Sequence, residues 1–144
     1  MDPLTITRGV DLDIDADQLW GALSDPDQLA AWLGDEVDLD VRQGGTGTVI
    51  DDGVLRHVRI DHVDEGRGLA FTWWEHDHPH LASTVRFAIE QRPDGGSHLA
   101  IVETFDPDAL GGAVTKASAA ASERWGVRVM CLWACTVTAV ALVR

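Results

Sequence analysis

The chain has 144 residues, 45% of them hydrophobic and 24% charged, and a formal net charge of −13 at pH 7. That composition belongs to a folded chain rather than a disordered one, and the length suits a single domain over 1–144 with a core of its own. With 11 Lys and Arg against 24 Asp and Glu, no basic cluster is available for nucleic acid, and an anionic membrane surface would be repelled. Cations and neutral apolar molecules are the partners that the charge leaves easy. No basic segment leading into an apolar stretch opens the chain, so the cytoplasm is the expected compartment.

Leu4, Ile6, Val10, Leu12 and Ile14 share one parity and Thr5, Thr7, Asp11 and Asp13 the other, which predicts an amphipathic strand with Arg8 on its apolar side. Two short helices follow. Asp15 reads as an N-cap with Gln18 three residues on, and Leu19, Trp20 and Leu23 form the inner stripe. Asp25 starts the second, with Pro26 at its first position, Gln28 in the reciprocal place, and Leu29, Trp32 and Leu33 inward.

From Glu36 to Asp106 the period changes to two, and turn residues recur at Gly44-Gly45, Asp51-Asp52-Gly53, Glu65-Gly66-Arg67-Gly68 and Pro93-Asp94-Gly95-Gly96. Strands are predicted near 37–42, 46–50, 54–63, 69–76, 81–91 and 97–105, joined as an antiparallel meander without βαβ rhythm. After Asp106-Pro107-Asp108 and Gly111-Gly112, the Ala-rich stretch from about 113 to 143 predicts a helix on the order of 40 Å long. Arg128 limits its apolar run to about 15 residues, short of a membrane span, so a buried helix is expected. Cys131 and Cys135, four apart on that helix, share a face but point along parallel vectors, a poor disulfide geometry; reduced thiols are expected.

The order strand, two short helices, six strands, long helix resembles the helix-grip fold, also called START-like or SRPBCC. Several strings resemble one branch of it, the bacterial family of activator of heat-shock-protein-90 ATPase homologues. They are Ala16-Asp17-Gln18-Leu19-Trp20 leading to Leu23-Ser24-Asp25-Pro26, Ala31-Trp32-Leu33-Gly34, Gly44-Gly45-Thr46-Gly47, Leu69-Ala70-Phe71-Thr72-Trp73-Trp74, Ser83-Thr84-Val85, Val102-Glu103-Thr104-Phe105 and Trp125-Gly126. The resemblance implies an α+β fold, a curved antiparallel sheet of about seven strands around the C-terminal helix. It also implies a hydrophobic cavity, in a superfamily whose members range from lipid carriers and receptors to cyclases and co-chaperone-like domains.

A sheet with one helix laid across it leaves space between them, so a pocket is expected there. Trp32, Phe71, Trp73, Val85, Phe87, Ile101, Trp125, Val129 and Trp133 would line it, with Arg8 and Glu103 as polar members at apolar parities. Arg8 and Glu103 form a buried ion pair in one reading. In another Glu103 orients a ligand, and in a third it serves as an acid or base in a cyclase- or hydrolase-like enzyme. No GxSxG, P-loop or HExxH motif is present, so binding is expected ahead of catalysis, without a cofactor. His76, His78 and His80 would share a face of an extended strand, but Pro79 breaks the alternation; exposed turn histidines, not a metal site, are expected. Finally, Val129, Leu132, Trp133, Thr136 and Val140 make one apolar side of the terminal helix and Met130, Val137 and Ala141 another. One sheet covers one side, so a homodimer through this helix is expected. The functional readings are therefore a binder of small apolar or aromatic molecules, or a protein-interaction module.

Overall fold

The computed structural model describes residues 4–143, with side chains described through Val137; Met1–Pro3 and Arg144 of the expected domain, and the side chains of Val140 and Ala141, lie outside the described residues. The elements are β1 (Leu4–Leu12), α1 (Ala16–Ser24), α2 (Pro26–Leu29), β2 (Glu36–Leu39), β3 (Thr46–Asp51), β4 (Val54–Asp64), β5 (Gly68–Glu75), β6 (Ser83–Gln91), β7 (Ser97–Phe105), α3 (Pro107–Leu110) and α4 (Val114–Val143). The seven strands are ordered β1-β7-β6-β5-β4-β3-β2, each antiparallel to its neighbour. This is the helix-grip architecture, with α4 against the concave face.

The local signals explain the helical starts. Asp15 closes a capping box with Gln18: its Oδ1 accepts from the Gln18 N–H at 2.8 Å, and the Gln18 amide oxygen accepts from the Asp15 N–H at 3.1 Å. Asp25 accepts from the Asp27 N–H at 2.9 Å, but Gln28 does not complete a second box. The Asp25 N–H already donates to Gly21 at the end of α1, so Gln28 reaches the Asp25 side chain instead, at 3.5 Å. The same Asp-Pro-Asp start, at Asp106-Pro107-Asp108, opens the short α3, an element where only a break was expected.

Two details of the sheet set which side chains face inward. The turn from β3 to β4 has positive φ at both Asp52 (51°) and Gly53 (77°), the primed geometry that matches the twist of a hairpin. In β4, a bulge between Ile60 and His62 adds Asp61 to the strand. Upstream of it Val58 and Ile60 face the core, and the extra residue shifts the parity so that Val63, paired with Leu69, is inward and His62 is exposed. Without it the strand would turn an imidazole inward.

On α4, Ala121, Trp125, Arg128, Val129, Leu132 and Thr136 are buried, spaced three and four apart along one face. Trp133 departs from expectation. It is 48% exposed, on the outer side with Val127, Met130 and Val137, because it falls outside the 125–129–132–136 stripe that meets the sheet. Trp20 is also only half-buried, at the rim of the core. Among the described residues, no helix is long and apolar enough to cross a membrane.

The capping box sets one measurable expectation. Asp15→Ala should cost about 1 kcal/mol of stability in urea unfolding, whereas Asp17→Ala on the exposed first turn should stay within about 0.5 kcal/mol.

Candidate functional site

The aromatic residues expected to wall a pocket pack against one another. Ring centroids are 5.6 Å apart for Trp32 and Phe87, 5.3 Å for Phe71 and Trp73, 5.5 Å for Phe71 and Phe87, 5.7 Å for Trp73 and Trp125, and 6.0 Å for Phe87 and Trp125. Val85, Ile101 and Val129 are buried in the same cluster. The middle of the sheet–helix layer is thus filled, and open space lies at its ends.

Glu103 stands at the boundary between the filled and open regions. It is 1% exposed, and its carboxylate accepts from four donors. Oε2 takes the Trp73 indole N–H at 2.9 Å and the Ser83 hydroxyl at 2.5 Å; Oε1 takes Arg124 Nη2 at 2.5 Å and the Trp125 indole N–H at 2.9 Å. A carboxylate has about four lone-pair sites, so all are in use. The expected partner, Arg8, is elsewhere: its Nη2 donates to the Ser122 carbonyl at 2.7 Å and hydroxyl at 3.2 Å. The register explains the exchange. Glu103 pairs across the sheet with Ile6 and Arg8 with Ile101, two residues along, while Arg124 approaches Glu103 from α4.

Beyond Glu103, charged side chains replace aromatic ones. Arg56, 8% exposed on the inner face of β4, lies 3.4 Å from Glu75 and 3.7 Å from Asp51. Its guanidinium and that of Arg124 sit 5.2 and 5.3 Å from the Trp73 ring centre. Burial, then the charge of Arg124, holds the Arg56 pKa below its ordinary value. Arg128 binds Asp51 and, at 3.4 Å, Asp35. Burial alone would lower its pKa, but the hydrogen bond and charge of Asp51, with Asp35, raise it. The Asp35 carboxyl is held low, chiefly by the Asp52 backbone N–H it accepts at 2.9 Å and then by Arg128.

Two clefts meet at these arginines. One of about 120 Å³ is lined by Trp73, Ser83, Glu103, Phe105, Leu81 and Leu110 among others. A wider one of about 570 Å³ runs past Asp35, Asp51, Val54, Val127 and Arg128. Both are bordered by Arg56, Ala120 and Arg124. A cleft of about 480 Å³ between α1, α2 and α4 touches Trp32, and an open groove of about 820 Å³ along the outside of α4 touches Arg8 and Met130. Of the residues expected in a ligand site, Trp73 and Glu103 border the inner cleft, Trp32 and Arg8 border separate spaces, and Trp133 is on the outside. The sequence reading missed Arg56, Ser83, Arg124 and Asp51, and used Arg128 only to argue against a membrane span. The usable signal was their parity: Arg56 shares a face with Val58 and Ile60, and Arg124 and Arg128 stand four apart beside inward Trp125 and Val129.

His76, His78 and His80 are exposed, as a polar turn suggests, although His76 Nδ1 is 2.9 Å from His57 Nε2. Among the described residues, no group of three or more His, Cys, Asp or Glu side chains could hold a metal ion. Cys131 and Cys135 are unpaired.

A seven-stranded antiparallel sheet packed on a long C-terminal helix, with two short helices after the first strand, is the helix-grip fold of START-like proteins. Residues 13–129 match the family described as activator of Hsp90 ATPase homolog 1-like protein, and the chain belongs to that family. No curated protein matches the chain significantly. Among solved structures, the Aha1 dimer from Colwellia psychrerythraea is similar with a TM-score of 0.77 at 12% identity, over 92% of this chain and 96% of that one. Protein MLL2253 from Mesorhizobium loti gives 0.71 at 22% identity, over 90% and 96%. DynU16, from the dynemicin biosynthetic locus, gives 0.70 at 21% identity over 89% of this chain and 45% of that one. At these identities the likeness is one of fold.

Arg124→Met leaves the buried Glu103 charge without its cation and should destabilise the protein by about 3–5 kcal/mol in urea unfolding. Arg42→Met, which breaks the exposed pair with Asp40, should change stability by about 1 kcal/mol or less. Asp35 supplies a pH signature. Its folded-state pKa lies below the ordinary 3.8, so its contribution is complete above that value and is lost as the pH falls through the lower, folded-state one. The stability gap between the wild type and Asp35→Asn should therefore be constant near neutrality and close in strong acid.

Proposed function

We propose that the protein binds a small apolar or aromatic molecule between the sheet and α4, at the end where the aromatic core gives way to the arginines, and that it does so in the cytoplasm. One observation carries the reading: the inner cleft has an indole wall at Trp73, apolar sides at Leu81, Phe105 and Leu110, and an opening shared with a wider cleft. Pockets that take small molecules combine such apolar walls with a few fixed polar groups. Trp32, Phe71, Val85, Phe87, Ile101 and Trp125 then act as the packed bed that holds Trp73 in place rather than as ligand contacts. The two unpaired thiols suit a reducing compartment. Catalysis by Glu103 is the weaker reading, because its oxygens are occupied by four protein donors.

A second reading, a protein-interaction module, is favoured by α4. Val127, Met130, Trp133 and Val137 are 44–65% exposed and recur every three or four residues, an apolar stripe on the face away from the sheet. A homodimer through this stripe is the form that the reading takes here, and a similar fold is known as the dimer of the Colwellia protein.

The two readings separate experimentally. Titrating apolar and aromatic compounds against intrinsic tryptophan fluorescence should give saturable changes with midpoints in the micromolar range, or about −8 kcal/mol of binding. A flat response from folded protein would remove the ligand reading. In sedimentation, wild-type protein at micromolar concentration should run as a dimer and Met130→Glu with Trp133→Glu as a monomer; a monomeric wild type would remove the helix dimer.

A further inference from the structure

Arg56 and Arg124 are under-used as hydrogen-bond donors in a way that the rest of the site does not explain. Arg56 Nη1 and Arg124 Nε are buried nitrogens without a hydrogen-bond partner. Leaving a buried cationic donor unmet is unfavourable, and two like charges over one indole add repulsion. The neighbouring acids leave these nitrogens without a hydrogen bond. Glu103 is filled by its four donors, and Asp51 gives one oxygen to Arg128 and holds the other 3.7 Å from Arg56 Nη1, an ion-pair contact beyond hydrogen-bonding distance. Glu75, half-exposed, stands between Arg56 at 3.4 Å and His78 at 3.3 Å. Both guanidinium groups border both clefts.

We propose that Arg56 and Arg124 form an anion-recognising pair in this cleft, and that its ligand is a small aromatic monocarboxylate. The proposal rests on the ligand-binding reading above and names its chemistry. An incoming carboxylate would meet the free donors and separate the two positive charges. Its planar geometry matches a guanidinium fork. A single charge suits the surroundings better than a dianion, because Asp51 and Glu75 lie within 3.7 Å and 3.4 Å of Arg56. The aromatic body would lie among Trp73, Phe105 and Leu110, and the 120 Å³ inner cleft limits it to about one ring, with any larger part in the wider cleft.

The test uses the whole chain with phenylacetate, phenylacetamide and inorganic phosphate as probes, titrated by calorimetry and by tryptophan fluorescence. Phenylacetamide keeps the shape and lacks the charge. The expected result is saturable phenylacetate binding at least tenfold tighter than that of the amide, with phosphate weaker than either. In Arg56→Met, whose folding is checked by near-ultraviolet circular dichroism, the acid should fall to the affinity of the amide. Equal affinity of the wild type for acid and amide would overturn the anion pair while leaving the cleft reading in place. Tighter binding of phosphate than of phenylacetate would overturn the monocarboxylate. Silence towards both aromatic probes from folded wild-type protein would overturn the proposal and the cleft reading together. Should Arg56→Met fail to fold, the acid-to-amide ratio of the wild type decides the matter unaided.

Discussion

Four hydrogen bonds to one carboxylate tie this fold together across its layers. Glu103 belongs to β7, and its donors come from β5 (Trp73), β6 (Ser83) and α4 (Arg124 and Trp125). Burying a carboxylate is costly unless it is paired and fully hydrogen-bonded, and this one is both. The consequence is positional. A helix packed only on apolar side chains can slide or rotate by small amounts at little cost, since dispersion contacts are not directional. A helix whose guanidinium and indole both reach one buried oxygen has its register fixed. That fixed register stacks Trp125 on Trp73 at 5.7 Å and sets which α4 residues face the sheet.

The clefts follow from the same division. Rings and branched aliphatics interdigitate to near-crystalline density, and the Trp32–Phe87–Phe71–Trp73–Trp125 group fills the middle of the layer. Arg56, Arg124 and Arg128 cannot fill space in that way. Each needs acceptors at fixed distances, and like charges keep apart. Open volume therefore persists where the inner face turns from aromatic to charged.

The strand order, most strand boundaries and the long helix were legible because period-two alternation and glycine-bearing turns are local signals, although the strand expected at 37–42 ends at Leu39 and the one expected at 81–91 starts at Ser83. The family resemblance was legible for the same reason, in short strings that occupy those elements. What periodicity could not supply was partner choice. Arg8 and Glu103 both stood out as polar residues at apolar parities, but Glu103's true partners include Arg124, 21 residues away on a helix. The distance between β7 and α4 is a tertiary quantity that no window of sequence contains. Helical spacing groups Trp133 with Val129, Leu132 and Thr136 but does not fix where the edge of the buried stripe falls; the stripe through Trp125, Val129, Leu132 and Thr136 leaves Trp133 outside. The bulge at Asp61 was invisible for a related reason. It is detected only by comparing the inward parity of Ile60 with that of Val63, across a register shift.

These departures fall into two kinds, and each kind marks a different surface. Polar residues at inward positions, namely Arg56, Glu103, Arg124 and Arg128, gather at one end of the sheet–helix layer beside the inner and wider clefts. Apolar residues at outward positions, namely Val127, Met130, Trp133 and Val137, gather on the far side of α4. A chain selected for stability alone would exchange them, placing leucines inside and arginines out. Instead both are present, with Arg124 and Arg128 on the sheet side of α4 and the apolar stripe on its far side, the helix register being fixed by Glu103. Val127 and Cys131 border both the wider cleft and the outer groove. Any ligand that shifts Arg124 acts on the residue that anchors α4, and so on the face that would meet a second protein. The inner polar cluster and the outer apolar stripe thus share one rigid element, with the Glu103–Arg124 pair fixing its register.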